Sequence, residues 1–448
     1  MPALMPGRTL SVLASGGVCR VESRIDEGGQ GEVYFVEFNG GRFALKWYHS
    51  QILRVDRTLR SRLQVAIDRR APSARFLWPF SLVTLPDGSG LGYLMPVRRA
   101  SYGKMWELFN DKGTIKPSFR ALATTGCLLA NELFALHAKG LVYQDLNPGN
   151  VFLEPQSGNI EICDNDNVDI DGAPSVMGGV WEYQAPEVIL RQSGPRRSTD
   201  LHSLAVMLFR ILHIGHPLIG LRSRHYPDLT APEAVRSLYA TDARFVFDPK
   251  DDSNRPIPHE QSLVSAYWSI YPAFLRELFI RAFTDGLRDP LHGRVQETEW
   301  RLALGRLRDA VMTCPACKAR NFFDRTRISA QNPSFPCWSC SSPLSGSPPR
   351  IGIHAADADP RQPPAHVIVL DEGARVFDHQ VARAPYNFEA VCAEVIDPPA
   401  RLRNSSQQTW SVERRGGRET VAPGAALTLE SGIRINFGSA IGEVRMPN

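Results

Sequence analysis

The stretch Val142 to Leu153, V-Y-Q-D-L-N-P-G-N-V-F-L, constrains this chain more than any other. Asp145 stands five residues ahead of Asn150, in a loop that also holds Pro148 and Gly149. Apolar runs of strand character flank that loop, Gly140 to Tyr143 before it and Val151 to Leu153 after it. A carboxylate and an amide thus share one short loop between two strands.

A chain of 448 residues is long enough for two or three separate cores. Its formal charge of +4, with 22% charged and 43% hydrophobic residues, is ordinary for a globular protein and gives no mandate for a nucleic-acid or membrane partner. Cys19, Cys127, Cys163 and Cys392 stand alone in apolar surroundings, which suits a reducing compartment and a cytoplasmic location. Met1 to Val18 has no cleavage signature and no membrane-length apolar run, and reads as an ordered lead into the first strand.

Residues 18 to 48 alternate in strand fashion around Gly28-Gly29-Gln30-Gly31, where glycines let backbone N–H groups approach a phosphate. The short apolar strand Phe43-Ala44-Leu45-Lys46 follows. Gln51 to Arg70 has helical spacing, with Leu53, Leu59, Leu63 and Ile67 on one face and arginines elsewhere; scattered arginines of this kind read as a solvated face. Two strand-like runs around the turn Pro86 to Gly90 lead to Gly92-Tyr93-Leu94-Met95-Pro96. Phe119 to Lys139 is a long amphipathic helix closed by Gly140. Beyond the opening loop come an acid-terminated strand, Ile160-Glu161-Ile162-Cys163-Asp164, and Gly179-Val180-Trp181-Glu182-Tyr183-Gln184-Ala185-Pro186-Glu187. The run Asp164-x-Asp166-x-x-Asp169-x-Asp171 lacks the glycine and terminal Glu of a calcium loop.

In this order, over about residues 20 to 310, these features resemble the protein kinase family. The resemblance implies a bilobal α+β fold over residues 1–310, with a small lobe over about 18–97 and a large lobe over about 98–310. It implies ATP held by Gly28, Gly29, Gly31, Val33, Ala44, Lys46 and Met95, and Mg2+ or Mn2+ held by Asn150 and Asp164. Asp145 and Lys46 are the implied catalytic residues, Asp200 a brace of the loop, and Arg294 a partner for Glu187.

Departures from the family are specific. Asp26 stands for the first glycine of the phosphate loop, and Asn165-Asp166 for the Phe-Gly after the metal-binding Asp, where Asp166 could be a further metal ligand. The His and Arg before Asp145 are absent, Asn147 stands for a Lys, and Val180 stands for a Thr. The missing Arg disfavours control by phosphorylation of Ser175. No Glu lies between Glu37 and Glu107 to pair with Lys46, so Gln64, or Asp68 one turn later, is the expected substitute.

Cys314-Pro315-Ala316-Cys317 and Cys337-Trp338-Ser339-Cys340 supply four thiolates at the spacing of a closed zinc ribbon over residues 311–345, with a redox role as the competing reading. Residues 346–364, rich in Ser, Pro and Gly, read as a linker. Short strands with turn signals over 365–448 predict a small all-β sandwich for protein interaction, faintly similar to forkhead-associated domains but without their Ser-x-x-His. The order of parts resembles bacterial kinases encoded with a von Willebrand A-type protein and a PP2C-type phosphatase in tellurite-resistance-associated triads, which implies those two proteins as partners. An active Ser/Thr kinase is the leading expectation. A nucleotide-binding pseudokinase and an adaptor built on the C-terminal parts are its rivals.

Overall fold

The structure is a computed structural model and describes residues 3–110, 115–172, 179–329, 331–359, 361–382 and 384–447. Alternating residues in the first half of the small lobe build β1 (Thr9–Val12), β2 (Gly17–Glu27), β3 (Gly31–Phe38) and β4 (Gly41–Tyr48). Two helices follow, α1 (Ser50–Val55) and α2 (Leu59–Arg69), then β5 (Ser81–Thr84) and β6 (Gly92–Met95). The sheet closes on itself in the order β1-β2-β3-β4-β6-β5. The lead before residue 18 therefore contributes a strand, and the small lobe starts at β1 rather than at about residue 18.

Because strand side chains alternate, β4 serves two cores at once. Leu45 and Trp47 enter the barrel interior with Leu10, Val36 and Leu94, while Ala44 and Tyr48 face the opposite way and join Leu59 and Leu63 of α2. Lys46 lies between Ala44 and Tyr48 on that second face. Gly31 permits the β3–β4 pairing here, since a Cβ would meet the Trp47 carbonyl oxygen at 2.2 Å.

The large lobe is organised on α3 (Phe119–His137), which Ser118 caps by accepting from the Ala121 N–H. This helix is buried nearly all round, against the helices Arg197–His213 and Glu297–Asp309. Gly126 sets the approach, as a Cβ there would stand 3.0 Å from both Leu208 and Leu304. A single apolar cluster runs from Phe76 through Leu128, Phe209 and Trp300. Among the described residues no helix is long and apolar enough to cross a membrane.

Helix Glu297–Asp309 leads directly into two short hairpins, Val311–Thr313 with Arg320–Phe322 and Ser334–Pro336 with Pro343–Ser345. Each hairpin presents one Cys-x-x-Cys pair at its turn. The remaining strands form a six-stranded sheet, whose order begins 366–369, 350–355, 440–445, and a four-stranded sheet of 375–377, 391–396, 401–404 and 426–428. Both sheets feed one apolar cluster around Trp410, Ile435, Val376 and Leu402. The linker expectation for 346–364 is corrected here: Arg350–Ala355 is a strand paired on both edges, with Ile351 and Ile353 fully buried.

This last unit is seated on the large lobe. Gln380 donates to Asp309 at 2.7 Å, the Arg308 guanidinium lies over the rings of Phe377 (4.3 Å) and Phe388 (5.1 Å), and Glu389 reaches Asn159 at 3.3 Å. Phe377 and Phe388 belong to the large-lobe cluster rather than to the two-sheet core. Phe388→Ala should cost about 3 kcal/mol, the usual scale for deleting a buried ring, read as a lower denaturant midpoint of the full chain.

Candidate functional site

The loop after α3 is held from behind by a chain of buried polar groups. Asp200, near the start of the helix Arg197–His213, accepts from the backbone N–H groups of Tyr143 (2.6 Å) and Gln144 (3.1 Å). Its carboxylate also meets His137 Nε2 at 3.0 Å, and the other ring nitrogen of His137 meets Glu297. Arg197 closes the set by donating to Glu297 at 2.7 Å. Burial alone would lower the His137 pKa, but the hydrogen bonds with Asp200 and Glu297 outweigh it and raise it to about 9. Burial would raise Glu297, yet its bonds from His137 and Arg197 hold it at about 2. His137 looked in sequence like a basic helix end; its part in bracing the loop had no local signal.

In front of this brace, Asp145 accepts from Asn147 Nδ2 (3.0 Å), Asn150 Nδ2 (3.2 Å) and the Val180 N–H (2.9 Å). Its pKa is raised, with burial the main cause. Asn147 and Val180, which replace the Lys and Thr of the resembling family, thus both touch Asp145, one by its amide and one by its backbone. Gln144 sits at φ +68° and Asp164 at φ +51°, left-handed conformations that cost non-glycine residues and are held here by the surrounding bonds. Arg294 forms a two-pronged pair with Glu187, both contacts at 2.8 Å. Ser175 lies outside the described residues.

Lys46 does not meet the expected helix partner. Gln64 is exposed and donates to Asp68 at 2.8 Å, so neither residue reaches the lysine. The carboxylate that meets Lys46 is Asp166, at 2.8 and 3.1 Å, with Asp164 at 3.4 Å. Tyr48 donates to Asp166 at 2.6 Å and Tyr93 at 3.3 Å. With its oxygens taken by these three side chains and 2% of its surface exposed, Asp166 faces away from solvent and is not placed as a metal ligand. Burial opposes charge on both partners, but the ion pair wins: Lys46 is raised and Asp166 lowered. Asn165 fills the place of the family's phenylalanine as a fully buried amide, donating to the carbonyls of Leu77 (2.9 Å) and Ile162 (3.0 Å).

A cleft of about 490 Å³ opens between the lobes. Gly28, Gly29, Gly31 and Val33 line its roof, Ala44, Lys46 and Met95 its inner wall, and Asp145, Gly149 and Asp164 its floor. A Cβ added at Gly28 or Gly29 would meet no atom within 4 Å, so the roof is open backbone. Asp26 is engaged by Lys104 at 2.9 Å across the mouth of the cleft, and that bond is the main cause of its lowered pKa. The donor set fits magnesium: Asp164 keeps a partly exposed carboxylate on the floor, and Asn150 spends its amide nitrogen on Asp145, leaving its oxygen. Asn150 and Asp164 are brought close by a backbone bond from Cys163 to the Asn150 carbonyl, 2.9 Å.

The four thiols Cys314, Cys317, Cys337 and Cys340 lie within 4.8 Å of one another. Two cross-hairpin sulfur pairs, Cys314 with Cys340 and Cys317 with Cys337, are 3.7 Å apart. Zinc–sulfur bonds of about 2.3 Å give a tetrahedron with an edge of about 3.8 Å, so the set fits zinc. Asn321 and the Ser339 N–H, each 3.4 Å from Cys337, supply the outer donors such a site uses.

The protein kinase domain family matches residues 94–254. The serine/threonine-protein kinase sck2 of Schizosaccharomyces pombe is 39% identical over 123 residues, 27% of this chain and 18% of that protein. The cGMP-dependent protein kinase, isozyme 1, of Drosophila melanogaster is 32% identical over 114 residues, 25% of this chain and 14% of that one. Ribosomal protein S6 kinase alpha-6 of Danio rerio is 40% identical over 96 residues, 20% and 13% of the two chains. The chain spans less than a fifth of the length of these curated relatives. Residues 94–254 are thus similar to a protein kinase domain, and the relatives that match are protein kinases by name, sck2 a serine/threonine-protein kinase.

The brace makes a pH prediction. A His137 pKa raised from 6.5 to about 9 means stability fully present below 6.5 and lost as pH climbs through 9. A Glu297 pKa lowered from 4.5 to about 2 means stability present above 4.5 and lost as pH falls through 2. His137→Gln should therefore cost about 3 kcal/mol between pH 5 and 6.5 and almost nothing above pH 10, read from denaturant midpoints across that range.

Proposed function

We propose that this chain is an ATP-dependent serine/threonine kinase that phosphorylates a partner protein or itself. The observation that carries the reading is the convergence of Lys46, Asp145 and Asp164 on one cleft roofed by open glycine backbone. ATP enters with its adenine against Ala44 and Met95 and its phosphates under the Gly28 to Gly31 turn. Lys46 offers its ammonium to phosphate oxygens. Magnesium, held by Asp164 and Asn150, supplies charge neutralisation when bound. Asp145 accepts the proton of the attacking hydroxyl and aims that oxygen at the γ-phosphorus; the bond to the acceptor forms as the bond to ADP breaks. Its raised pKa, due to burial, suits a group that takes up a proton.

A second reading, a nucleotide switch without turnover, is favoured by one observation: Asn147, Asn150 and the Val180 N–H all occupy the Asp145 carboxylate. Thermal shift by nucleotide without phosphate transfer, under magnesium and manganese alike, would select it. The four-cysteine hairpins are proposed as a structural zinc ribbon, and the two-sheet unit as a β-sandwich for protein contact. A von Willebrand A-type protein and a PP2C-type phosphatase are the proposed partners, on the resemblance of the domain order.

With labelled ATP, the purified chain should transfer γ-phosphate to itself or to those partners. Asp145→Asn should slow this by on the order of 10²–10⁴-fold; equal labelling by the variant would sink the assignment of Asp145. The purified protein should also carry one zinc per chain. Cys337→Ser or a strong chelator should remove that zinc and lower the thermal midpoint, while zinc-independent stability would refute the ribbon.

A further inference from the structure

We infer that Asp166 is the positioning residue for Lys46, doing from the large lobe what a helix glutamate does elsewhere, and that α2 takes no part in holding the lysine. Only the catalytic consequence of this role rests on the kinase reading.

Strand geometry brings the polar groups together. Lys46 and Tyr48 are two apart on β4 and so project from the same face, and the antiparallel register sets Tyr93 of β6 opposite Lys46. Three polar heads, one ammonium and two hydroxyls, therefore gather at one buried spot. Left alone, each would be desolvated without a partner, which burial penalises. Asp166 meets all three, its Oδ2 with Lys46 and Tyr48 and its Oδ1 with Lys46 and Tyr93. A glycine at this position would take the acceptor from both hydroxyls and leave Lys46 only Asp164 at 3.4 Å and Gln30 at 3.2 Å.

Helix α2 is excluded by its own chemistry. The residues it turns toward β4 and β6 are Leu59 and Leu63, packed with Tyr48 and Tyr93. Its nearest polar candidate, Gln64, lies on the exposed side with Asp68. The helix is fixed by other means, including the bond from Trp78 Nε1 to the Ala66 carbonyl at 2.9 Å. Lys46 is thus tied to the same short segment, 164–166, that carries the floor carboxylate, and the tie crosses from the small lobe to the large one. Helix α2 packs beside this segment, but the side chains that bond Lys46 come from Asp164, Asp166 and Gln30, none of them on the helix.

A double-mutant cycle on the full chain tests this, read as the dissociation constant of a fluorescent ADP analogue with magnesium, which needs no turnover. Asp166→Asn and Lys46→Ala should each weaken binding about tenfold, and the double variant should bind no more weakly than Lys46→Ala alone. Asp166→Glu should restore part of the loss, Tyr48→Phe should shift binding in the same direction by less, and Gln64→Ala should leave it unchanged. Strictly additive losses, wild-type binding by Asp166→Asn, or a loss in Gln64→Ala equal to that in Asp166→Asn would each overturn the inference. If the wild type binds nucleotide but never transfers phosphate, the kinase reading falls while the cycle still decides the role of Asp166. If the wild type binds no nucleotide, the kinase reading falls, and the same cycle read as denaturant midpoints still decides whether Asp166 holds Lys46, additive losses there overturning it.

Discussion

A buried ion pair, Lys46 with Asp166, ties the small lobe to the large one at the back of the cleft. Burying two charges is expensive, and a pair of this kind is tolerated only where further hydrogen bonds complete it. Tyr48 and Tyr93 do so here. The pair draws on both lobes at once: β4 and β6 must be in register to gather the three polar heads, and the segment after Ile162 must be rigid enough to deliver the carboxylate. Asn165 provides that rigidity by bonding the carbonyls of Leu77 and Ile162. In place of an apolar side chain that can swing in and out, the segment has an amide tied to two backbone carbonyls.

A second polar network stands behind the loop of Asp145 and works by the same logic. His137, Asp200, Glu297 and Arg197 satisfy one another inside the large lobe, and the surplus acceptors of Asp200 fix two loop N–H groups. Each network couples a secondary-structure core to one polar group of the cleft, Lys46 in the first and Asp145 in the second. The lysine side is set by strand register and the aspartate side by helix packing, so the cleft inherits its geometry from two independent cores.

Local spacing made part of this legible. Asp145, Asn150 and Lys46 announce themselves because their neighbours in sequence are also their neighbours in space, and the paired Cys-x-x-Cys turns do the same for the four thiols. The partner of Lys46 was hidden for the opposite reason: Asp166 is 120 residues away. The available clue was Lys46-Trp47-Tyr48, two polar heads on one face of an otherwise apolar strand, next to an acidic run whose purpose was open. The strand Arg350–Ala355 was masked by the Pro, Ser and Gly around it, although its Ile-x-Ile alternation is the ordinary sign of a half-buried strand. Composition over a window of about twenty residues outvoted a much shorter pattern.

The seating of the C-terminal two-sheet unit has a practical meaning for where the chain can be divided. Phe377 and Phe388 complete the apolar cluster of the large lobe, and Asp309, at the last turn of its final helix, has Gln380 as its partner. A chain cut after residue 310 would bare the apolar surface those rings cover and take the Gln380 donor from Asp309, leaving it Arg308 alone. Such a fragment would be expected to cling to itself or to chaperones, so the large lobe of this protein ends, in physical terms, some eighty residues beyond the point where its helices stop.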